Sequence, residues 1–349
     1  MIRTEPAEAG LVVVVTGGAG FIGSNLCRVL ESESSISRVL VVDDFSTGRR
    51  ENLDGLAVEV VEGSILDEDL LDEAFRGVDA VVHLAARPSV PRSIADPVLT
   101  HRVNTDGTVS VLEAARRNGV PHVVVASSSS VYGANETLPK REDMATFPVS
   151  PYAASKLAAE SYALAWQRSF GLGVLALRFF NVYGPYQPAD HAYAAVIPAF
   201  VSAALQKRPL RIFGDGLQSR DFTFVGSVTE ILRRAVVERV SCPEPVNLAA
   251  GDRTDLLTLV RMIEEATGES CEVVHEDPRP GDVRHSMADT ARLSSLFPGF
   301  RCEPLRIGLE RTVDWFRAHL AGERGSQTDS GSHRAAGAVG HVAVHRAAE

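Results

Sequence analysis

Leu11-Val12-Val13-Val14-Val15-Thr16-Gly17-Gly18-Ala19-Gly20-Phe21-Ile22-Gly23 is the stretch on which the fold turns. Leu11–Thr16 is short, β-branched and nearly continuous in apolar character, as suits a central strand of a parallel sheet covered on both faces. A glycine-rich turn follows directly and opens a helical segment, Phe21–Leu30. Glycines 17, 20 and 23 stand where a chain must turn tightly, approach a pyrophosphate and pack a helix against a strand. The helix N-terminus offers free N–H groups and the positive end of its dipole to phosphates. A second strand ends at Asp43, 20 residues beyond Gly23, where such folds place an acid on the adenosine ribose. Strand, turn, helix and acid together predict a dinucleotide site. Asp43 accepts bonds from the 2′- and 3′-hydroxyls and repels a 2′-phosphate. That favours NAD over NADP, although Arg49 and Arg50 after Gly48 are able to meet a 2′-phosphate.

Outward from this stretch the pattern repeats. Val39–Asp43, Val58–Glu62, Ala80–Leu84, His122–Ser127 and Val174–Phe179 read as further buried strands. Leu66–Phe75, Asn104–Asn118 and Pro151–Phe170 read as helices between them. Alternation of this kind predicts an α/β Rossmann-type, doubly wound parallel sheet over residues 1–180. Beyond it, helices are expected at Ala194–Gln206 and Leu256–Thr267, and Val225–Val240 with Val246–Leu248 reads as a helix and strand that return to the sheet. The expected organisation is therefore a cofactor domain, 1–180 with 225–255, and a smaller discontinuous α/β substrate domain, 181–224 with 256–322. Residues 323–349, rich in Ala, Gly, Ser and His without periodicity, read as a disordered tail. His333, His341 and His345 within it read as solvated side chains, so no metal site is expected.

Composition sets the outer limits. A chain of 349 residues with 45% hydrophobic content has enough apolar surface to fold. Its net charge of −10 argues against binding a nucleic-acid backbone. The apolar stretch near the N-terminus is too short for a membrane span or signal segment. Four cysteines, Cys27, Cys242, Cys271 and Cys302, lack framework spacing, which points to a reducing cytoplasmic setting. Of 35 basic residues only Lys140, Lys156 and Lys207 are lysine.

Tyr152 and Lys156 stand four apart in Pro151-Tyr152-Ala153-Ala154-Ser155-Lys156 and share a helix face. A phenol is a poor base at neutral pH unless a nearby cation favours the phenolate. In a chain that otherwise uses arginine, a lysine here implies a compact ammonium that a guanidinium fork does not replace. Ala126-Ser127-Ser128-Ser129-Ser130-Val131-Tyr132-Gly133 closes an apolar strand, and the carboxyl ends of parallel strands are where ligands bind. A hydroxyl there can share a proton between a substrate oxygen and Tyr152.

From residue 11 to about 318 the chain resembles the extended short-chain dehydrogenase/reductases, specifically the nucleotide-sugar epimerases and dehydratases of the UDP-hexose 4-epimerase group. The matching stretches are TGGAGFIG, VVDDFSTG, HLAARPSVPRSIADP, NTDGT, SSSSVYG, SPYAASKLAAE, RFFNVYGP, FGDGLQSRDF and PRPGDVRHS, in that order. The resemblance implies NAD-dependent inversion at C4 of a UDP-sugar through a transient 4-keto intermediate, with Ser128, Tyr152 and Lys156 catalytic. Around NAD it places Gly17, Gly20, Phe21, Ile22, Asp43, Asp44, Ser46, Thr47, Gly48, Ile65, Leu84, Ala85, Ala86, Arg87, Asn104, Ser127, Tyr152, Lys156 and Phe180. Against the UDP-sugar it places Arg87, Ser89, Ser128, Ser129, Tyr152, Asn181, Ala195, Val196, Ile197, Arg211, Phe213, Arg220, Arg279, Asp282 and Ser286. One departure is the turn Gly63-Ser64-Ile65, where the family carries an acid on the adenine amino group and this chain offers the Ser64 hydroxyl.

The same resemblance separates the reactions. Dehydratases carry an Asp-Glu pair, and uronate decarboxylases a Glu, where this chain has Ser129 and Ser130. Ser286 matches the position of a gate that is bulky in epimerases rejecting a 2-acetamido group. A serine there, with the stretch DHAYAAVIP at 190–198, implies that UDP-N-acetylglucosamine enters beside UDP-glucose. UDP-glucuronate is the runner-up, with Arg87 or Arg92 to meet its carboxylate. A homodimer through Asn104–Asn118 and Pro151–Phe170 is also implied; no nucleic-acid or membrane partner is.

Overall fold

The computed structural model describes residues 10–189, 194–278 and 284–332. Strands β1 (Leu11–Thr16), β2 (Ile36–Asp43), β3 (Glu59–Glu62), β4 (Ala80–His83), β5 (His122–Ser128) and β6 (Gly173–Phe179) are joined by Val246–Leu248 in one parallel sheet. Their spatial order is Val246–Leu248, β6, β5, β4, β1, β2, β3. The chain starts in the middle at β1, winds out to β3, then crosses back to β4 and winds the other way. Between β1 and β4 the winding reverses, and a crevice opens at the carboxyl ends of the strands.

The helices up to β6 are α1 (Phe21–Glu31), α2 (Glu68–Ala74), α3 (Val90–Ala95), α4 (Pro97–His101), α5 (Gly107–Arg117) and α6 (Pro151–Phe170). After it come α7 (Val196–Leu205), α8 (Val225–Val237), α9 (Leu256–Thr267), α10 (Ala291–Leu296) and α11 (Leu305–Ser332). The period-two alternation of β1 divides the core. Val13 and Val15 pack with Leu26 and Leu30 of α1 and Val228, Ile231 and Leu232 of α8. Val14 points the other way, to Leu71 of α2, Val111 and Leu112 of α5 and Ala163 of α6. Each such side chain contributes roughly 1.5–3 kcal/mol on burial, which is why the central strand β1 is apolar on both faces. Fold and strand order are those expected of a doubly wound sheet.

A separate core gathers Ile197, Phe200 and Val201 of α7, Leu259 and Ile263 of α9, and Leu309, Val313 and Phe316 of α11. Leu210–Phe213 and Val273–Glu276 pair in parallel beside it. Helix α11 continues to Ser332, past the boundary at 323 expected for the tail, because no proline interrupts it. The remaining tail, with His333, His341 and His345, lies outside the described residues. Among the described residues no helix is long and apolar enough to cross a membrane.

Two local features place the site. Helix α6 starts where Ser150 caps it, its Oγ accepting from Ala153 N at 3.1 Å, with Pro151 in the first turn. It ends at Gly171 in the left-handed region with φ of +73°. A Ser cap contributes about 1 kcal/mol and fixes the start of the turn that carries Tyr152. The second feature departs from the expected helix Asn104–Asn118. A π-helical turn, Arg102–Asp106, links α4 to α5, so helical structure begins earlier, at Pro97. Such a turn inserts one residue and reorients the side chains it carries, here those around Asn104.

Candidate active site

A cleft of about 990 Å³ opens over the carboxyl ends of the sheet strands and reaches the second core. Gly17 at its floor has φ of +72°, and a Cβ there would lie 2.7 Å from Ala85 N. A Cβ on Gly23 would stand 2.2 Å from Gly17 O and 2.6 Å from Gly18 Cα, so only glycine lets α1 close on the turn. Helix α1 has Gly20 as its N-cap without a side-chain bond, which leaves its first N–H groups toward the cleft. This is a cradle for a pyrophosphate in shape and in dipole. Asp43 stands beside it and is 7% exposed. Its Oδ2 accepts from Ala19 N and its Oδ1 from Phe45 N, both at 2.9 Å. Burial pushes its carboxyl upward while the two N–H donors pull it down. One lone pair on each oxygen is then left for a ribose diol. These residues fit a dinucleotide.

At the other end of the cleft β5 delivers Ser128 and α6 delivers Tyr152 and Lys156. Ser128 Oγ accepts from Ser130 N at 3.2 Å and from Ser130 Oγ at 2.9 Å. With two donors already on it, its own hydrogen is left for the cleft, and the Ser128 hydroxyl facing Tyr152 favours the phenolate. Burial acts in the opposite sense and dominates, holding the phenol above its usual range. Lys156 is buried, which pulls its ammonium down to about 8, against the carboxylate of Glu160 one turn further along α6.

Glu160 was not singled out in the sequence, yet it anchors this end. It pairs with Arg178 of β6, Oε1 to Nη2 at 2.7 Å and Oε2 to Nε at 2.9 Å, and accepts Ser127 Oγ at 2.7 Å. Its position four residues after Lys156 was the available signal.

Most of the expected residues do line the cleft. From the glycine turn these are Gly17, Gly20, Phe21, Ile22, Asp43, Asp44, Ser46 and Thr47, with Ile65, Leu84, Ala85, Ala86, Ser127 and Phe180. Ser89, Ser128, Ser129, Asn181, Ala195, Arg220 and Ser286 line the remainder. Asn181 Nδ2 donates to Asp221 O at 2.9 Å and to Ser286 Oγ at 3.2 Å, tying the two sides of that wall. The carboxylate of Asp221 is spent on Ala250 N, Gly251 N and Ala288 N at 3.0–3.2 Å. Burial raises it to about 6.

Others stand off the cleft wall for physical reasons. Ile197 is 1% exposed inside the second core, and Val196 packs against that core. Arg211 lies in a solvent-facing ion pair with Glu276 at 2.6 Å. Phe213 ends the same strand, and Gly48 packs against Ala19 and Asp43 behind the turn. Ser64 turns its hydroxyl to Leu66 N at 3.3 Å, in a shallow surface depression, while Gly63 and Ile65 face the cleft. Arg87 pairs with Asp96 at 3.4 Å. Arg279 and Asp282 lie outside the described residues.

Asn104 is fully committed behind the wall. It accepts from Arg87 N at 2.7 Å and donates to Arg87 O and to Ser155 Oγ. Thr108 Oγ1 donates to Asn104 O at 2.6 Å, so it accepts from His83 Nε2 at 3.0 Å. His83 Nδ1 is then the acceptor for Thr16 Oγ1 at 2.7 Å, and burial holds the ring neutral by lowering it to about 3. The glycine turn and the helix of Tyr152 are thus braced through one buried chain of bonds.

Comparison with known proteins follows the same outline. A model of the NAD dependent epimerase/dehydratase family matches residues 13–249. A UDP-glucose 4-epimerase of Mycolicibacterium smegmatis is 38% identical over 311 residues, 87% of this chain and 98% of that protein. Among solved structures, the UDP-N-acetylglucosamine 4-epimerase from Methanobrevibacter ruminantium M1, in complex with UDP-N-acetylmuramic acid, is 35% identical. Its TM-score is 0.84, over 89% of this chain and 99% of that one. The UDP-glucuronic acid 4-epimerase from Bacillus cereus, in complex with UDP-glucuronic acid and NAD, is 30% identical with a TM-score of 0.81, over 88% and 99%.

Proposed function

Since this chain belongs to the NAD dependent epimerase/dehydratase family, we propose that it inverts C4 of a UDP-sugar and admits both UDP-glucose and UDP-N-acetylglucosamine. It is an NAD-dependent isomerase, a UDP-sugar 4-epimerase. The observation that carries the reaction is Tyr152 beside Ser128 with buried Lys156 one turn away, and no eliminating acid near them among the described wall residues. Among the described lining residues the carboxylates are Asp43 and Asp44, both at the glycine turn, remote in role from the sugar. That counts against dehydration and decarboxylation, which need an acid beside Ser128.

Gly17, Gly20 and the open end of α1 hold the pyrophosphate, and Asp43 the adenosine ribose. When bound, NAD supplies the hydride acceptor and donor at C4. Tyr152 takes the proton of the 4-hydroxyl and returns it to the same oxygen after the sugar has turned the other face of C4 toward the cofactor. Ser128 holds that oxygen and stabilises the phenolate; Lys156 supplies the positive charge that Tyr152 lacks on its own. We read the sheet half as the cofactor side and the second core, with Asn181 and Arg220, as the UDP-sugar side.

Substrate breadth rests on Ser286. Its side chain is small and held back by Asn181, which supports entry of a 2-acetamido group. Purified protein incubated with UDP-glucose and UDP-N-acetylglucosamine is expected to yield both C4 epimers on separation of the products. No epimer from any UDP-sugar overturns the function; an epimer from UDP-glucose alone overturns the role of Ser286. Tyr162 and Phe170, 43% and 54% exposed on α6, support a homodimer through α5 and α6. Light scattering is expected to give twice the chain mass, and a monomer at micromolar concentrations removes that contact.

A further inference from the structure

Two of the three lysines in this chain line one cleft, and only Lys156 has a part in the reaction. The third, Lys207, is solvent-facing beside Glu269. Lys140 is 3% exposed, although it follows an ordinary surface-like loop. Its backbone is fixed against the segment after Ser286, Lys140 N donating to Met287 O at 2.7 Å and Asp289 N to Lys140 O at 2.9 Å. Asn247 Nδ2 also donates to Lys140 O at 2.8 Å. These bonds fix the backbone of Lys140, and its side chain is buried with it. It shares the cleft wall with Ser129, Ser130, Gly133 and Ser286.

An ammonium carries three donors, and Asn135 O accepts from Lys140 Nζ. Among the described residues no carboxylate stands within ion-pair distance of it; Glu136 acts only from further off. Burial pulls the ammonium below its usual range. Retaining such a group beside an uncharged sugar costs free energy, whereas a carboxylate brought in by the substrate offsets it. The other lining cations serve elsewhere: Arg49 follows the glycine-turn loop, Arg92 sits on α3 at the mouth, and Arg220 backs onto Arg284 O and Ser219 O.

We propose that Lys140 is a specificity residue that receives a carboxylate on the sugar, so that UDP-hexuronates are epimerised in preference to their neutral counterparts. This rests on the UDP-sugar 4-epimerase reading. Ser129 lines the same wall and supplies a neutral donor. Lysine rather than arginine suits a narrow space met by one carboxylate oxygen at a time.

The test compares kcat/KM for UDP-glucuronate and UDP-glucose in the wild type and in Lys140→Met, which keeps length without charge. The wild type is expected to favour UDP-glucuronate. Lys140→Met is expected to lose about 10- to 100-fold on UDP-glucuronate, the worth of a charge-assisted bond, with UDP-glucose little changed. A wild type that prefers UDP-glucose, or an equal loss on both substrates, overturns the role of Lys140 and leaves epimerisation standing. Turnover of neither substrate overturns the epimerase reading and this inference with it. The wild-type preference needs no variant, so a poorly folded Lys140→Met does not blunt the test.

Discussion

Tyr152→Phe is expected to lower kcat by about 10²–10⁴-fold, the range for one positioned acid–base group, while bound NAD stays at the wild-type level. The substitution removes a single oxygen and keeps the ring that lines the cleft. What disappears is the group that moves a proton at the 4-oxygen, and no other described lining residue near Ser128 replaces it: Ser129 and Ser130 do not ionise at neutral pH, and Lys156 is tied to the charge of Glu160. Because the phenol sits above its usual range, it depends on Ser128 and on nearby positive charge to reach the phenolate. The loss should therefore fall on kcat, with KM little altered, since the uridine and diphosphate contacts are elsewhere. Steady-state kinetics and release of NAD from denatured protein measure both halves. A kcat near wild type takes Tyr152 out of its role, and loss of NAD makes the variant uninformative about proton transfer but shows that Tyr152 holds the cofactor.

The doubly wound sheet was legible because its information is local. Strand β1, the three glycines and Asp43 follow one another within about thirty residues, and each has a single physical meaning there. Tyr152 and Lys156 share a helix face by spacing alone, whereas the choice of Ser128 from the serine run 127–130 came from the family resemblance. What supports them was not legible. Glu160 meets Arg178 across 18 positions, and Asn104 meets Ser155 across 51, so the partner of each is set by the fold. His83 reads as an ordinary strand residue until Thr16 and Thr108 close on its two nitrogens. Asp221 is next to Arg220 in the chain, yet three backbone N–H groups from two other segments hold its carboxylate. Ile197 was placed on the substrate by its neighbours in a motif, and helical periodicity turned it into the core instead. The scarcity of lysine applies equally to Lys140, which lines the same cleft as Lys156 and was not singled out.

Glu160→Gln is expected to destabilise the protein by about 3–5 kcal/mol, the cost of leaving one member of a buried ion pair alone. Both side chains of the Glu160–Arg178 pair are 4% exposed, so water cannot take the place of the lost charge. Arg178 retains one neutral amide oxygen at position 160, Glu142 O at 3.4 Å and the face of Tyr132 at 4.8 Å, which do not offset a full positive charge. Removing both charges is different. Glu160→Leu with Arg178→Met is expected to recover most of the loss, because apolar residues of similar volume often replace a buried pair at little cost. Urea unfolding of Glu160→Leu, Arg178→Met and the double variant measures this coupling directly. Activity should not follow stability. The Glu160 carboxylate holds Lys156 charged against burial, so without it the ammonium titrates at lower pH than the value of about 8. The sign is fixed by the loss of an anion beside a cation, and the alkaline fall in kcat/KM therefore moves to lower pH in Glu160→Gln. It stays there in the double variant, whose stability has returned. If stability and the alkaline limb recover together, Glu160 acts on the fold alone; if the limb stays shifted in a stable protein, Glu160 sets the charge on Lys156.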